Sequence, residues 1–210
     1  LHDALPILES LGVHFVFAPT PEEMYSAEEM AVPFVFDFDG LDKVMEGKMR
    51  PGHFNGVVQV VSRLFELVRP TRAYFGEKDF QQLAIIRYMV ERSAMAPQFH
   101  GIQIIGCPIV REPSGLAMSS RNERLSAAEK QTAVAISQAL ISSLEWAKSA
   151  DVATVQQRVI DTINSIEGLE VEYYDIVDKD TLQPTDKWQN AVGCVTVFCG
   201  SVRLIDNIQY

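Results

Sequence analysis

A chain of 210 residues with 47% hydrophobic side chains is long enough to bury one large core or two modest ones. Its 18 basic and 28 acidic residues leave a formal charge of −10, which argues against nucleic acid or an anionic membrane as a general partner while leaving room for a local basic pocket. No apolar run approaches the ~20 residues of a membrane span, no signal peptide is visible, and Cys107, Cys194 and Cys199 form no C-x-x-C pair, so the expectation is a cytoplasmic protein with reduced core thiols.

In chain order, Asp3 to Gly12 reads as a helix capped by Asp3 and stopped by Gly12, and Val13 to Phe17 as a compact apolar strand. Thr20-Pro21-Glu22-Glu23 carries a capping threonine, proline at the first helical position and glutamate at the third, the signature of a helix start. Phe34 to Phe38 reads as a second strand and Leu41 to Glu46 as a short turn or helix. Gly47 to Phe54, rich in glycine, proline and charge, reads as a loop. Val57, Val60, Val61, Leu64 and Val68 then mark one face of a helix ending near Pro70. A strand at Thr71 to Phe75 and a helix with Leu83, Ile86, Met89 and Val90 at helical spacing follow, with a connection from Ser93 to Gly101 and a strand at Ile102 to Ile105. This alternation predicts an α/β arrangement with a parallel sheet.

Near Pro108 the pattern changes, which suggests a boundary between domains 1–108 and 109–210. Ser126-Ala127-Ala128-Glu129 opens a long helix through a capping box, a second helix runs from Asp151 to about Ile166, and Gly168 stops it. Val171 to Val177, Val192 to Phe198 and Val202 to Ile205 read as antiparallel strands packed on those helices, a small α+β domain.

The chemistry concentrates at Gly76-Glu77-Lys78-Asp79-Phe80-Gln81-Gln82, where a strand ending in glycine feeds a helix. Free backbone N–H groups at such a junction seat an anion, and Lys78 can add a full positive charge. Lys78 and Asp79 suit a phosphate and a hydroxyl group, or else form a solvated pair at a helix start; Gln81 or Gln82 can face a cleft or the surface. Arg50 and His53, with Glu46 nearby, form an ion cluster at a cleft mouth or a purely structural loop. Ser119, Ser120 and Arg121 make a phosphate-contact set or a polar loop that caps the next helix. There is no P-loop, no G-x-G-x-x-G, no G-x-S-x-G elbow and no histidine pair at metal-ligand spacing.

The segments Glu46 to Phe54, Phe75 to Gln82, Gly115 to Asn122 and Arg203-Leu204-Ile205-Asp206-Asn207 together resemble the pantoate–β-alanine ligase family, as does Leu11 to Tyr25 with its Phe-Ala-Pro and Glu-Met-Tyr. The connection from Glu91 to Gly101 is a few residues longer than in many family members. The resemblance implies a Rossmann-like nucleotidyltransferase domain, N-terminally incomplete, followed by a lid-like α+β domain. It implies adenylation of the pantoate carboxylate by ATP, with release of pyrophosphate, and attack of the β-alanine amine on the adenylate to give pantothenate and AMP. On this likeness Gly76, Glu77, Lys78 and Asp79 line the ATP site, with Val110 meeting adenine through its backbone. Met118, Ser119, Ser120 and Arg121 close on the phosphates, Gln82 holds pantoate, and Glu46, Arg50 and His53 form an active-site loop. Lys78, Ser119, Ser120 and Arg121 are the catalytic group. Mg²⁺ arrives with the nucleotide and no protein metal ligand is assigned. A homodimer is implied as well. The family's first βα unit, with its H-x-G-H signature, is not found in the sequence, so the expectation is that residues 1–210 alone release no pyrophosphate. The alternatives are a related nucleotidyltransferase with another acceptor, or a non-catalytic remnant that acts as a dimerisation or binding module.

Overall fold

A computed structural model describes residues 5–92 and 94–210; the cap expected at Asp3 and the connection's first residue, Ser93, lie outside them. Contacts divide the chain into two compact units, one up to Val35 and one spanning Phe36–Tyr210. The first unit contains α1 (Leu5–Ser10), α2 (Pro21–Met24) and α3 (Ala27–Ala31). The helix start expected at Thr20 is formed as a capping box: the Thr20 hydroxyl accepts from the Glu23 N–H while the Glu23 carboxylate accepts from the Thr20 N–H.

The strand expected at Val13 to Phe17 is not formed. Phe15 is 92% exposed, its neighbours are exposed as well, and no ladder pairs them among the described residues. An apolar run becomes a strand only where a neighbour takes its N–H and C=O groups. Phe34 to Phe38 is not a strand either. The Phe36 N–H donates to Asn55 Oδ1 at 2.9 Å, and the rings of Phe36 and Phe38 are buried, with Phe36 edge-on to Tyr88.

In the second unit, α4 (Met45–Met49) and α5 (His53–Val68) lead into β1 (Arg72–Gly76), α6 (Phe80–Glu91), a 3-10 turn at Pro97–Phe99 and β2 (Gln103–Cys107). β1 and β2 pair in parallel from Arg72↔Gln103 to Gly76↔Cys107. The loop expected at Gly47 to Phe54 is largely helical. Its Gly47 lies so close to the Asp42 carbonyl that any Cβ would collide with it, so this glycine permits a close approach inside a helix. Gly52, at φ +80°, makes the turn that lets α5 begin at His53, which carries His53 and Phe54 out of the expected loop.

After a 3-10 turn at Ser120–Arg124 come α7 (Ala127–Trp146), α8 (Val152–Asn164), β3 (Leu169–Asp178), β4 (Ala191–Cys199) and β5 (Val202–Gln209). The strands form an antiparallel sheet in the order β3-β4-β5, as expected. One face packs on α7 and α8 through Ile136, Leu140, Val155, Val159, Val195 and Leu204. The other face carries the polar side chains Glu172, Tyr173, Thr196, Arg203 and Asn207. A bulge between Val171 and Tyr173 shifts the β3 register by one residue. It turns two successive side chains, Glu172 and Tyr173, to the polar face, while Leu169 before it and Tyr174 and Ile176 after it join the core. The chain is thus α/β: a parallel pair with helices, then an α+β portion. No helix among the described residues is long and apolar enough to cross a membrane.

Candidate active site

A cleft in the second unit is walled by α4 and the start of α5, by the β1–α6 turn, and by the polar face of β3, β4 and β5; Glu46, Arg50, His53, Lys78, Asp79, Gln82 and Arg121 all line it. The turn follows directly from the strand-to-helix junction. Asp79 is the N-cap residue of α6 without a side-chain cap bond, and the Asp79 N–H reaches the Gly76 carbonyl at 3.3 Å. The Lys78 ammonium and the Asp79 carboxylate make no hydrogen bond or ion pair among the described residues, so both groups face the cleft uncommitted.

The adjacent glutamines divide the tasks. Gln81 is buried, and its amide donates to the carbonyls of Leu41 at 2.7 Å and Val44 at 2.9 Å, tying α6 to the start of α4. Gln82, the next residue and half-buried, lines the cleft without such a bond. Both glutamines line the cleft, but among the described residues only the Gln81 amide is committed to carbonyls of the wall.

Glu46 occupies the floor. Its carboxylate accepts from Arg203 at 2.9 Å, from the Tyr173 hydroxyl at 2.9 Å and from the Thr196 hydroxyl at 3.2 Å, while Arg203 Nε also reaches Glu172 at 2.8 Å. Burial by itself raises the Glu46 pKa, but the bonds from Arg203 and Tyr173 and the charge of Arg203 outweigh it and hold the carboxyl below its usual range. Burial, with the charge of Glu46 adding to it, pushes the Tyr173 phenol far up, so it stays a donor. Arg50 stands 3.9 Å from Glu46 and 3.2 Å from His53 Nε2. Burial first and the Arg50 charge second lower the His53 pKa, which favours the neutral ring. Asp206 is matched bidentately by Arg111 at 2.6 and 3.0 Å. Arg203 is shared between Glu46 and Glu172, Arg50 stands beside Glu46, and Arg111 answers Asp206, so Lys78 and Arg121 face the cleft against the uncommitted carboxylate of Asp79 and leave room for an anion.

The remaining candidates are spread around this centre. Gly76 ends β1 and is exposed. The Glu77 side chain lies beneath Gly106 and within 3.3 Å of Gln209, and is not among the residues lining the cleft. Arg121 donates to the Arg203 carbonyl at 2.9 Å, and Ser119 Oγ accepts from the Arg121 N–H at 3.2 Å. Ser120 and Met118 are exposed outside the cleft lining, as is Val110, whose carbonyl accepts from the Met118 N–H at 2.9 Å. Among the described residues no group of three or more His, Cys, Asp or Glu side chains is placed to hold a metal ion. The thiols of Cys107, Cys194 and Cys199 are all free, and burial pushes that of Cys194 well up. The sequence reading assigned no role to Tyr173, Arg111, Arg203, Asp206 or Asn207. For Arg203, Asp206 and Asn207 the available signal was the Arg203-Leu204-Ile205-Asp206-Asn207 segment that carries part of the family resemblance.

The family model for pantoate–β-alanine ligase matches residues 1–209. This chain belongs to the pantoate–β-alanine ligase family. It is 56% identical over 207 residues to the pantothenate synthetase of Phocaeicola vulgatus, covering 97% of this chain and 71% of that one. A crystal structure of pantothenate synthetase from Thermus thermophilus shares 38% identity at a TM-score of 0.89, covering 99% of this chain and 74% of that one. The pantoate–β-alanine ligase of Francisella tularensis, solved with "beta-gamma ATP" and β-alanine, shares 29% identity at a TM-score of 0.75 and covers 99% of this chain and 69% of that one. The Francisella structure was solved with a nucleotide and an amino acid.

Proposed function

We propose that the chain acts as a pantoate–β-alanine ligase, using ATP to activate the pantoate carboxylate as an adenylate that the β-alanine amine then attacks. The observation that carries this reading is the uncommitted Lys78 ammonium at the β1–α6 turn, flanked in one cleft by Gln82, Arg50 and Arg121, in a chain of this family. Adenylation moves negative charge onto the departing pyrophosphate. On this reading Lys78 and Arg121 neutralise it, while Gln82 orients pantoate and Asp79 meets the ribose. The Met118 to Arg121 loop, joined to β5 by the Arg121 bond, closes over the phosphates, with Ser119 and Ser120 as further donors. Mg²⁺ would enter on the nucleotide and shield its phosphates. The cleft encloses about 60 Å³, against several hundred for a pocket that holds a small molecule. We propose that ATP enters when a wall withdraws, the elements before and after Pro108 moving apart. We propose further that the protein works in the cytoplasm as a homodimer.

Calorimetric titration of ATP with Mg²⁺ into the protein tests the nucleotide site: saturable binding is expected, and its absence overturns the reading. Residues 1–210 alone are expected to release no pyrophosphate; in a ligase that carries the family's first βα unit, Lys78→Ala should cut pantoate-dependent release by about 10²- to 10³-fold. Equal release with unrelated carboxylates would point to a different acceptor.

A further inference from the structure

β5 ties α4 and the β1–α6 turn to the sheet, and its Ile205, Asp206 and Asn207 also line the cleft. Along a strand, side chains alternate between faces. On β5 the alternation places Val202 and Leu204 in the core against α7 and α8, and Arg203, Ile205, Asn207 and Gln209 on the opposite face. Arg203 reaches Glu46 of α4. Its carbonyl takes the Arg121 bond, and Asp206 takes both arms of Arg111, whose Nη1 also donates to the Gly115 carbonyl at 3.2 Å. Asn207, 3% exposed, donates from Nδ2 to the Glu77 carbonyl at 2.8 Å and the Lys78 carbonyl at 3.0 Å.

The last contact bears most directly on the chemistry. The carbonyls of Glu77 and Lys78 lie between the end of β1 and the first helical hydrogen bond of α6, which runs from Leu83 to Asp79. Neither carbonyl belongs to a strand ladder or the helix, and the partner they find is a side chain more than a hundred residues away in sequence. A carboxamide NH₂ presents two hydrogens and can serve two successive carbonyls at once; an aspartate has no donor to offer and a leucine of similar size has none either. Asn207 itself is held in place, because the Asp206 carboxylate accepts from its backbone N–H at 2.9 Å while pinned by Arg111.

We propose that Asn207 is a positioning residue for Lys78: it fixes the backbone on both sides of the Lys78 Cα, and β5 thereby sets where the ammonium stands relative to Arg121 and Gln82. This rests on the reading of the cleft as a nucleotide site. It goes beyond that reading by assigning the placement of the cation to a side chain whose amide nitrogen is committed to two carbonyls of the turn.

Asn207→Leu removes the donor while keeping the bulk, and Asn207→Ser serves as a smaller replacement if the leucine variant fails to fold. Amide hydrogen exchange monitors the turn whether or not ATP binds. Exchange at Glu77 and Asp79, whose N–H groups bond to Cys107 and Gly76, should speed up about tenfold in either variant, while exchange at Val195 and Val197 stays as in the parent. The dissociation constant for ATP should rise about tenfold. Lys78→Ala should abolish the effect: adding Asn207→Leu to it should weaken ATP binding by less than twofold further, because two residues acting through one group are not additive. Unchanged exchange at Glu77 and Asp79, or fully additive losses in the double variant, would overturn the proposal. If the parent protein binds no ATP, the nucleotide-site reading fails, and the exchange data still decide whether Asn207 holds the turn.

Discussion

Glu46 carries its charge at the floor of the cleft because Arg203, Tyr173 and Thr196 all donate to it. A carboxyl whose pKa is lowered by folding stabilises the fold above its unfolded pKa and loses that contribution as pH falls through the folded value. The Glu46 anchor is therefore intact at neutral pH and is released only in acid. His53 shows the same direction of pH dependence through a different charge state. Its lowered pKa means the fold favours the neutral imidazole, so between the folded and unfolded values the unfolded chain binds more protons and stability falls as pH falls. An NMR titration of the His53 ring should give a midpoint below the ordinary value of about 6.5. Arg50→Ala should move it back up by removing the adjacent cation, and a midpoint that stays put would dismiss Arg50 as a cause.

At the level of elements, the bulge in β3 and the close approach of β4 to Tyr174 shape the sheet that forms the cleft floor. Without the extra residue, Glu172 and Tyr173 would face opposite ways, and Arg203 would lose one of its two carboxylates or Glu46 its phenol. Gly193 sits under the Tyr174 ring so closely that an added Cβ would overlap the phenol. Tyr174 cannot easily yield, since it is 1% exposed and its hydroxyl is 2.6 Å from that of Tyr210, which in turn lies 2.7 Å from Ser143 Oγ. Gly193→Ala should therefore destabilise the protein by about 1–3 kcal/mol in urea unfolding. A variant as stable as the parent would show that the sheet can shift to make room.

For the whole molecule, the proposed homodimer predicts a sedimenting species of twice the 23.5 kDa chain mass, and a concentration-independent monomer would remove dimerisation from the proposal. The helices α7 and α8 and the start of β3 lie close to where periodicity and capping put them, because local signals bound them: the Ser126 box, the Asp151 cap, Gly168 at φ +88°; β5, with no such stop, runs to Gln209, four residues past its expected end at Ile205. The failures fall at Val13 to Phe17 and Phe34 to Phe38, where apolar composition alone suggested strands; strand formation needs a hydrogen-bonding neighbour, which composition does not specify. The site divides in the same manner. Lys78, Asp79, Gln82, Arg50 and Arg121 are legible as sequence neighbours within short motifs, since their proximity is a matter of a few residues. Asn207 beneath Lys78, Arg203 on Glu46 and Arg111 on Asp206 join segments 95 to 157 residues apart. The sequence by itself determined which groups could bind an anion. Which of those groups are free and which are already paired was decided only by the tertiary structure, because charge pairing depends on a few ångströms of separation that the fold alone establishes.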